Sequence, residues 1–159
     1  MGCNLEATIF NIGRCSLHDG NGLRTVVYFK GCSMRCLWCH NPESWNKKPE
    51  LLFYPNKCIG CGRLSLIHIS EPTRLYERSG GGVTFSGGEC LLWPEFLKEL
   101  MEACRKENIN IAVETALNVS WENVLMASKY ADSFFCDIKH SDSNIHKRLT
   151  GAGLSLIHI

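Results

Sequence analysis

The chain has 159 residues, of which 45% are hydrophobic and 21% charged, a composition typical of one globular domain with a buried core. Its 17 lysines and arginines against 16 acidic residues leave no net field that would favour nucleic acid, an anionic membrane surface or an acidic substrate. The N-terminus has no basic flank before an apolar run, and no stretch of about 18 apolar residues occurs. We therefore expect a cytoplasmic protein with no membrane contact and no nucleic acid partner.

Ten cysteines are far more than a chain of this length ordinarily carries. Without a secretory signal, a disulfide scaffold lacks the oxidising compartment that it needs, so metal or cluster ligation explains them better. Five cysteines form two tight groups, Cys32/Cys36/Cys39 and Cys58/Cys61. The scattered ones are expected to be ordinary small apolar residues. They are Cys3, Cys15, Cys90, Cys104 and Cys136.

Strand patterns recur along the chain at regular intervals. The first covers residues 25–29, a β-branched and aromatic run bounded by glycines, and the cysteine triplet follows it. The second covers 83–85 and ends at the glycine-rich turn 86–89. Two later strands are predicted at 109–113 and 133–138.

Helices are predicted between and after the later strands. Pro94 suits the first position of one helix, whose apolar face would hold Phe96, Leu97, Leu100, Met101 and Cys104. Ser120 can cap a second helix. That helix would carry Trp121, Val124, Leu125 and Ser128. A third covers 144–149. The alternation predicts the α/β class, with right-handed βαβ units and a parallel sheet rather than hairpins.

Polar clusters stand at or just past the end of each predicted strand. They are the cysteine triplet, Gly87-Gly88-Glu89, Glu114-Thr115 and Asp137-Ile138-Lys139. In barrels and open parallel sheets, the active site forms at the edge where the strands end. We therefore expect the chemistry of this chain at that edge.

The spacing Cys32-x3-Cys36-x2-Cys39 places three thiolates on one compact loop. Three thiolates hold three corners of a cubane cluster and leave the fourth iron open for another ligand. The alternatives are a zinc site or coincidental thiols. Zinc needs a fourth ligand, and His40 stands too close to Cys39 to turn back onto the same ion. The spacing therefore favours a 4Fe-4S cluster.

The segment HDGNGLRTVVYFKGCSMRCLWCHNPESW, from His18 to Trp45, resembles the radical S-adenosylmethionine activating enzymes of glycyl radical enzymes. Asn21 departs from the proline that relatives often carry there. The resemblance implies an incomplete (β/α) partial barrel whose open iron binds the amino and carboxylate groups of S-adenosylmethionine. It also implies that Trp38 and His40 contact the adenine end, although core packing is the alternative for a tryptophan.

The later polar clusters extend this resemblance. Gly87-Gly88-Glu89 is similar to a turn that approaches the methionine amino group, with Cys90 where relatives usually have proline. Asp137 and Lys139 resemble an Asp-x-Lys pair that flanks S-adenosylmethionine, and a surface salt bridge is the alternative. Glu114-Thr115 resembles a segment that helps to hold a monovalent cation, although Asp is more familiar there than Glu.

Cys58 and Cys61 resemble the start of a ferredoxin-type insert, which holds two further 4Fe-4S clusters on eight cysteines. A remnant of that insert would span 49–63. The two thiols are candidates for a second cluster site that is incomplete, and two thiols complete neither a cubane nor a zinc knuckle. We therefore expect no cluster on this pair.

The hexamer LSLIHI occurs twice, at 64–69 and 154–159, with no repeated flanks. Two isolated copies build no repeat architecture. The longer stretch LSLIHISEPTR at 64–74 looks like the translation of an adapter used in DNA sequencing libraries. We therefore expect both segments to be artefacts, which leaves a truncated core domain at 18–153.

The resemblance implies reductive cleavage of S-adenosylmethionine to a 5′-deoxyadenosyl radical, which abstracts hydrogen from a glycine of a partner glycyl radical enzyme. A flavodoxin- or ferredoxin-type reductant and an anaerobic cytoplasm are implied with it. Two alternatives stay open. One is a radical S-adenosylmethionine enzyme that acts on a small molecule, and the other is an inactive fragment that only binds metal.

Sequencing the gene between the codons for Arg63 and Leu75 tests the adapter hypothesis. We expect a native read that lacks LSLIHISEPTR and continues with further cysteine codons. A native read that contains those eleven codons would show that the segment belongs to the protein.

Overall fold

The computed structural model describes residues 6–50 and 79–154. Cys58 and Cys61, most of the insert remnant at 49–63 and the whole adapter-like stretch at 64–74 lie outside the described residues. So does all but the first residue of the second copy, 154–159. None of the helices in the described ranges is long and apolar enough to cross a membrane.

The described strands form one five-stranded sheet with the order β1-β2-β3-β4-β5. Their bounds are β1 Ile9–Ser16, β2 Arg24–Phe29, β3 Gly82–Gly87, β4 Asn110–Thr115 and β5 Ser133–Cys136. From β2 to β5 all neighbours are parallel. The predicted α/β class and parallel sheet are confirmed, and each new strand adds beside the previous one, as in a partial barrel.

Strand β1 was not predicted, and it pairs antiparallel with β2 in a hairpin. The expectation of parallel βαβ units without hairpins is therefore wrong at this edge of the sheet. The sequence IFNIGRCS has no strict alternation, and its side chains are exposed or half-buried throughout. Because a half-exposed edge strand needs no continuous apolar face, its pattern gave no signal.

The described residues form three α-helices: α1 Pro94–Lys106, α2 Trp121–Ser128 and α3 Ser143–Thr150. Pro94 takes the first helical position as predicted. Leu97 and Met101 of α1 are fully buried, and they belong to one core cluster with Phe85 and Val113. The apolar face predicted for α1 therefore does face the core.

Helix α2 carries the four predicted residues, and the fold decides which of them are buried. Ser120 occupies the N-cap position but its side chain makes no capping hydrogen bond. Val124 and Ala127 are buried, whereas Trp121 and Leu125 are 52% and 44% exposed. The sequence gives no clear choice between the two faces, because apolar residues occur on both.

Arg24 joins the strands at the edge opposite to their carboxyl ends. Its guanidinium donates hydrogen bonds to Thr84 Oγ1 at 2.6 Å, Val83 O at 2.6 Å and Asn110 Oδ1 at 2.9 Å. The side chain is buried, and burial lowers the pKa of Arg24 from its usual value. Five polar contacts satisfy this buried charge, so Arg24 ties the beginnings of β2, β3 and β4 together.

Candidate functional site

A cleft of about 740 Å³ opens at the carboxyl ends of the parallel strands. Its walls include most of the site residues predicted from the sequence: Cys32, Cys36, Trp38, Cys39, His40, Gly87, Gly88, Asp137 and Lys139. Segments up to about 107 residues apart in the chain meet here because consecutive parallel strands end at one edge of the sheet. Glu89 is the predicted site residue of the described ranges that does not line the cleft.

The loop that carries the three cysteines leaves β2 and rests against the end of α3. The backbone N–H of Arg35 donates to Thr150 O at 2.6 Å, and that of Leu37 donates to Leu149 O at 3.0 Å. These carbonyls belong to the last turn of α3, which has no helical partner for them. The helix end and the loop therefore satisfy each other's backbone groups and hold the loop in place.

The three thiols lie on one loop beside the cleft, where a cubane cluster could take them as ligands. Cys36 is buried, and Cys32 and Cys39 are half-buried in the cleft wall. Within 6–50 and 79–154, no three histidine, cysteine or acidic side chains converge on one point as the ligands of a single ion do. In a cubane each thiolate binds a different iron, so its ligands need no common point. Three thiols on one loop are therefore a donor set that fits a 4Fe-4S cluster with one open iron.

Hydrogen-bond donors already face two of the sulfurs. The backbone N–H of Met34 donates to Cys32 Sγ at 3.4 Å, and the indole N–H of Trp45 donates to Cys39 Sγ at 3.2 Å. Burial raises the pKa of the Cys32 and Cys36 thiols above the ordinary value. Positive iron is the partner that stabilises thiolates in such a place.

The turn after β3 has room for backbone alone. Gly87 has a φ of +115°, and a Cβ added there would stand 2.3 Å from Phe29 N. A Cβ at Gly88 would stand 2.4 Å from Gly31 O. Glycine is therefore required at both positions, and the turn presents bare backbone to the cleft beside the cysteine loop.

Glu89 lies behind this turn, with a side chain that is 1% exposed. Its carboxyl group accepts one hydrogen bond from the hydroxyl of Thr115, whose Oγ1 lies 2.9 Å from both carboxyl oxygens, and one of 3.2 Å from Ala116 N. Burial raises the pKa of Glu89 to about 7. The family resemblance implied that this carboxylate meets the amino group of S-adenosylmethionine. In the fold its oxygens face donors of the protein, so Glu89 joins the end of β3 to the end of β4.

Asp137 and Lys139 form an ion pair in the cleft wall. The Lys139 side chain is 20% exposed, whereas the intervening Ile138 is 71% exposed. The salt bridge and the cofactor contact were alternatives at the level of sequence. The fold makes them compatible, because the pair borders the cleft.

Trp38 and His40 both line the cleft, and Trp38 is 50% exposed. This exposure rules out the alternative of core packing for Trp38. An aromatic face at the cleft wall is what an adenine ring would stack on.

Glu114 is half-buried in the cleft wall and accepts a hydrogen bond from Ser86 Oγ at 2.6 Å. Burial raises the pKa of Glu114, and the acidic neighbours Asp19 and Asp137 raise it further. Three carboxylates therefore approach one another near the ends of β3 to β5. Asp19 and Ser86 were not predicted as site residues, although Asp19 lies in the segment 18–45 and Ser86 in the turn 86–89.

The four cysteines outside the triplet that the structure describes divide into two kinds, and Cys3 lies outside the described residues. Cys90 is fully buried in the core and Cys104 is half-buried on α1, as expected of small apolar residues. Cys15 and Cys136 are exposed, and Cys136 lines the cleft. The expectation of apolar packing is therefore wrong for these two.

Replacing Glu89 by Gln should flatten the pH dependence of stability. In the folded chain the pKa of Glu89 is about 7, against an ordinary value of 4.5. The stabilisation that Glu89 contributes is fully present below its ordinary pKa of 4.5. It is lost as the pH rises through the pKa of the folded chain, about 7, and the free energy of unfolding then falls by about 3 kcal/mol. Urea unfolding of the cluster-free chain at about pH 5 and pH 8 measures this slope.

The matched control is Glu99→Gln, which removes an exposed carboxylate from α1. This variant should keep the slope of the unsubstituted chain. If the free energy of unfolding changed equally with pH in the unsubstituted chain and in both variants, burial would not favour the protonated form of Glu89.

A family model and several curated proteins are similar to this chain. A family model described as a 4Fe-4S single cluster domain matches residues 18–146. The choline trimethylamine-lyase activating enzyme of Oleidesulfovibrio alaskensis is 34% identical over 96% of this chain and 66% of its own length. The indoleacetate decarboxylase activating enzyme of Tractidigestivibacter scatoligenes is 33% identical over 96% and 67%.

The pyruvate formate-lyase-activating enzyme of Clostridium pasteurianum is 41% identical over 91% of this chain and 58% of its own length. The chain thus spans about three fifths to two thirds of the length of these curated relatives. The family model covers the segment that contains the cysteine loop, the glycine turn and the Asp-x-Lys pair. The chain belongs to the glycyl radical enzyme activating enzymes of the radical S-adenosylmethionine superfamily.

Proposed function

We propose that this chain forms the radical-generating part of an activating enzyme for a glycyl radical enzyme. Cys32, Cys36 and Cys39 would hold a 4Fe-4S cluster, and the adjoining cleft would take S-adenosylmethionine. The observation that carries the proposal is that the cysteine loop, the Gly87-Gly88 turn and the Asp137/Lys139 pair all line one cleft.

When bound, the cluster supplies the electron that cleaves S-adenosylmethionine to methionine and a 5′-deoxyadenosyl radical, which removes hydrogen from a glycine of the partner. The protein positions the reactants and excludes water. The contacts of the loop with the end of α3 keep the three thiols on one wall of the cleft. Beside them, the bare backbone of Gly87 and Gly88 lets a ligand approach without meeting a side chain.

Charged and aromatic side chains of the cleft would orient the cofactor. Lys139 can donate to the carboxylate of S-adenosylmethionine, and its pairing with Asp137 holds the ammonium in the cleft wall. Trp38 and His40 would contact the adenine. Glu114, beside Asp19, would hold a monovalent cation there, since opposite charge relieves the repulsion between neighbouring carboxylates. Glu89 would act through the turn that it supports.

The partners follow from the same proposal. A glycyl radical enzyme would receive the radical, and a flavodoxin- or ferredoxin-type protein in the cytoplasm would supply the electron. Leu37, between two cluster ligands, is 77% exposed, so a reductant can approach the loop from outside. The native core would be 18–153 without the adapter-like stretch.

Replacing Cys36 by Ala should abolish cluster uptake and S-adenosylmethionine cleavage. Two thiolates cannot hold three corners of a cubane. The loss of activity should therefore exceed the roughly 100-fold loss that is the upper range for substitutions of residues that only support a metal ligand. The assay is anaerobic reconstitution with iron and sulfide, followed by dithionite and S-adenosylmethionine, with 5′-deoxyadenosine as the product measured. Cys104→Ala is the matched control, because Cys104 is a half-buried cysteine of α1 that does not line the cleft.

The outcomes of this assay separate the alternatives. Cluster uptake without formation of 5′-deoxyadenosine would favour the alternative of an inactive fragment that only binds metal. Formation of 5′-deoxyadenosine without a radical on any glycyl radical enzyme would favour a small-molecule substrate. Equal activity of Cys36→Ala and Cys104→Ala would contradict the proposed site.

Replacing Trp38 by Ala should weaken S-adenosylmethionine binding about tenfold, since the loss of one aromatic contact corresponds to about 1.4 kcal/mol. Equilibrium binding to the cluster-loaded chain measures the effect. Trp121→Ala is the control, because Trp121 is 52% exposed against 50% for Trp38 but lies on α2 outside the cleft. A similar loss in both variants would place the adenine elsewhere.

A further inference from the structure

We infer that Trp45 is a positioning residue that raises the reduction potential of the cluster through a hydrogen bond from its indole N–H to the sulfur of Cys39. The inference rests on the proposed cluster site. Trp45 stands six residues after Cys39, and its Nε1 lies 3.2 Å from Cys39 Sγ.

The backbone holds the indole in this position from two sides. Trp45 ends the short 3-10 turn Pro42–Ser44, and its N–H donates to Pro42 O at 3.2 Å. Its carbonyl accepts from Cys32 N at 3.2 Å. Trp45 therefore contacts the first cluster ligand through its backbone and the third through its side chain.

Arg35 covers the ring of Trp45. Its guanidinium carbon lies 5.2 Å from the ring centroid, within the range of a cation–π contact. The same guanidinium donates to Cys32 O and Met34 O, both at 2.7 Å. A positive charge on the face of the indole draws electron density from the ring, which makes its N–H a stronger donor.

The sign of the effect follows from charge. Reduction adds one electron to the cluster, and its sulfur ligands share the added negative charge. A donor aimed at a sulfur stabilises the more negative state more, so the bond raises the potential. The bond from Met34 to Cys32 is longer, at 3.4 Å, and belongs to the backbone. The Trp45 bond can be removed by changing one side chain.

The test is a redox titration of the reconstituted chain and of Trp45→Phe, with dithionite as the one-electron donor and the EPR signal of the reduced cluster as readout. Phenylalanine keeps an aromatic ring under Arg35 and lacks the N–H. At a fixed solution potential, the ratio of reduced to oxidised cluster should fall about tenfold, a shift of about 59 mV to lower potential.

Trp93→Phe is the matched control. The indole of Trp93 donates to the backbone carbonyl of Lys30 at 2.6 Å, and Lys47 Nζ lies 4.9 Å from its ring. Trp93→Phe and Trp45→Phe thus remove the same indole N–H from a ring that faces a cation. Only at Trp45 is the acceptor of that N–H a sulfur. This variant should keep the potential of the unsubstituted chain.

A second measurement leaves Trp45 unchanged. The chain is labelled with ¹⁵N at the indole nitrogens, Trp38 is replaced by Phe, and pulsed EPR records ¹⁵N coupling to the reduced cluster. The indole nitrogen of Trp45 should still couple to the reduced cluster in this variant, and the absence of ¹⁵N coupling would overturn the inference.

In the redox titration, an unchanged potential in Trp45→Phe, with cluster uptake equal to that of Trp93→Phe, would overturn the inference and leave the proposed function standing. Failure of the unsubstituted chain to take up a cluster would overturn both.

Discussion

The site depends on the close approach of two backbone segments, the one that leaves β2 and the one that leaves β3. Gly88 N donates to Phe29 O and Glu89 N donates to Gly31 O, both at 2.8 Å, so the pairing of the two strands continues beyond their ends. Side chains at positions 87 and 88 would collide with the β2 segment. This constraint places the glycine turn against the start of the cysteine loop, and it sets where a ligand could meet a cluster.

Contacts between segments that are distant in sequence support the cysteine loop and the glycine turn. The cysteine loop rests on the last carbonyls of α3, more than a hundred residues later in the chain. The glycine turn is joined to the end of β4 through the buried carboxylate of Glu89. At the opposite edge Arg24 ties the beginnings of β2 to β4. The cleft is therefore held by buried polar groups whose hydrogen bonds are satisfied, which gives it a defined geometry.

Much of this arrangement could be predicted. The triplet spacing, the glycine turn and the strand periodicity predicted the cluster chemistry, the α/β class and the edge of the sheet at which the polar segments gather. Prediction failed where local pattern carries no information. Strand β1 is half-exposed and lacks alternation, so it was not predicted. For α2 the sequence predicted the helix but no buried face, because apolar residues occur on two faces. The resemblance implied a role for Glu89 at the cofactor, and only the fold shows that its carboxyl group is buried beside Thr115.

The sequence by itself determined the residue types that chemistry requires: three thiolates at a fixed spacing on one loop, and glycines where no Cβ fits. It determined these because ligand number and backbone sterics are local properties. The tertiary structure alone decided which groups face the cleft and which support it. It brought the Trp45 indole to the Cys39 sulfur, turned Glu89 inward and set Asp19 beside Glu114. Those relations depend on strand register and on the packing of distant segments, which no local pattern encodes.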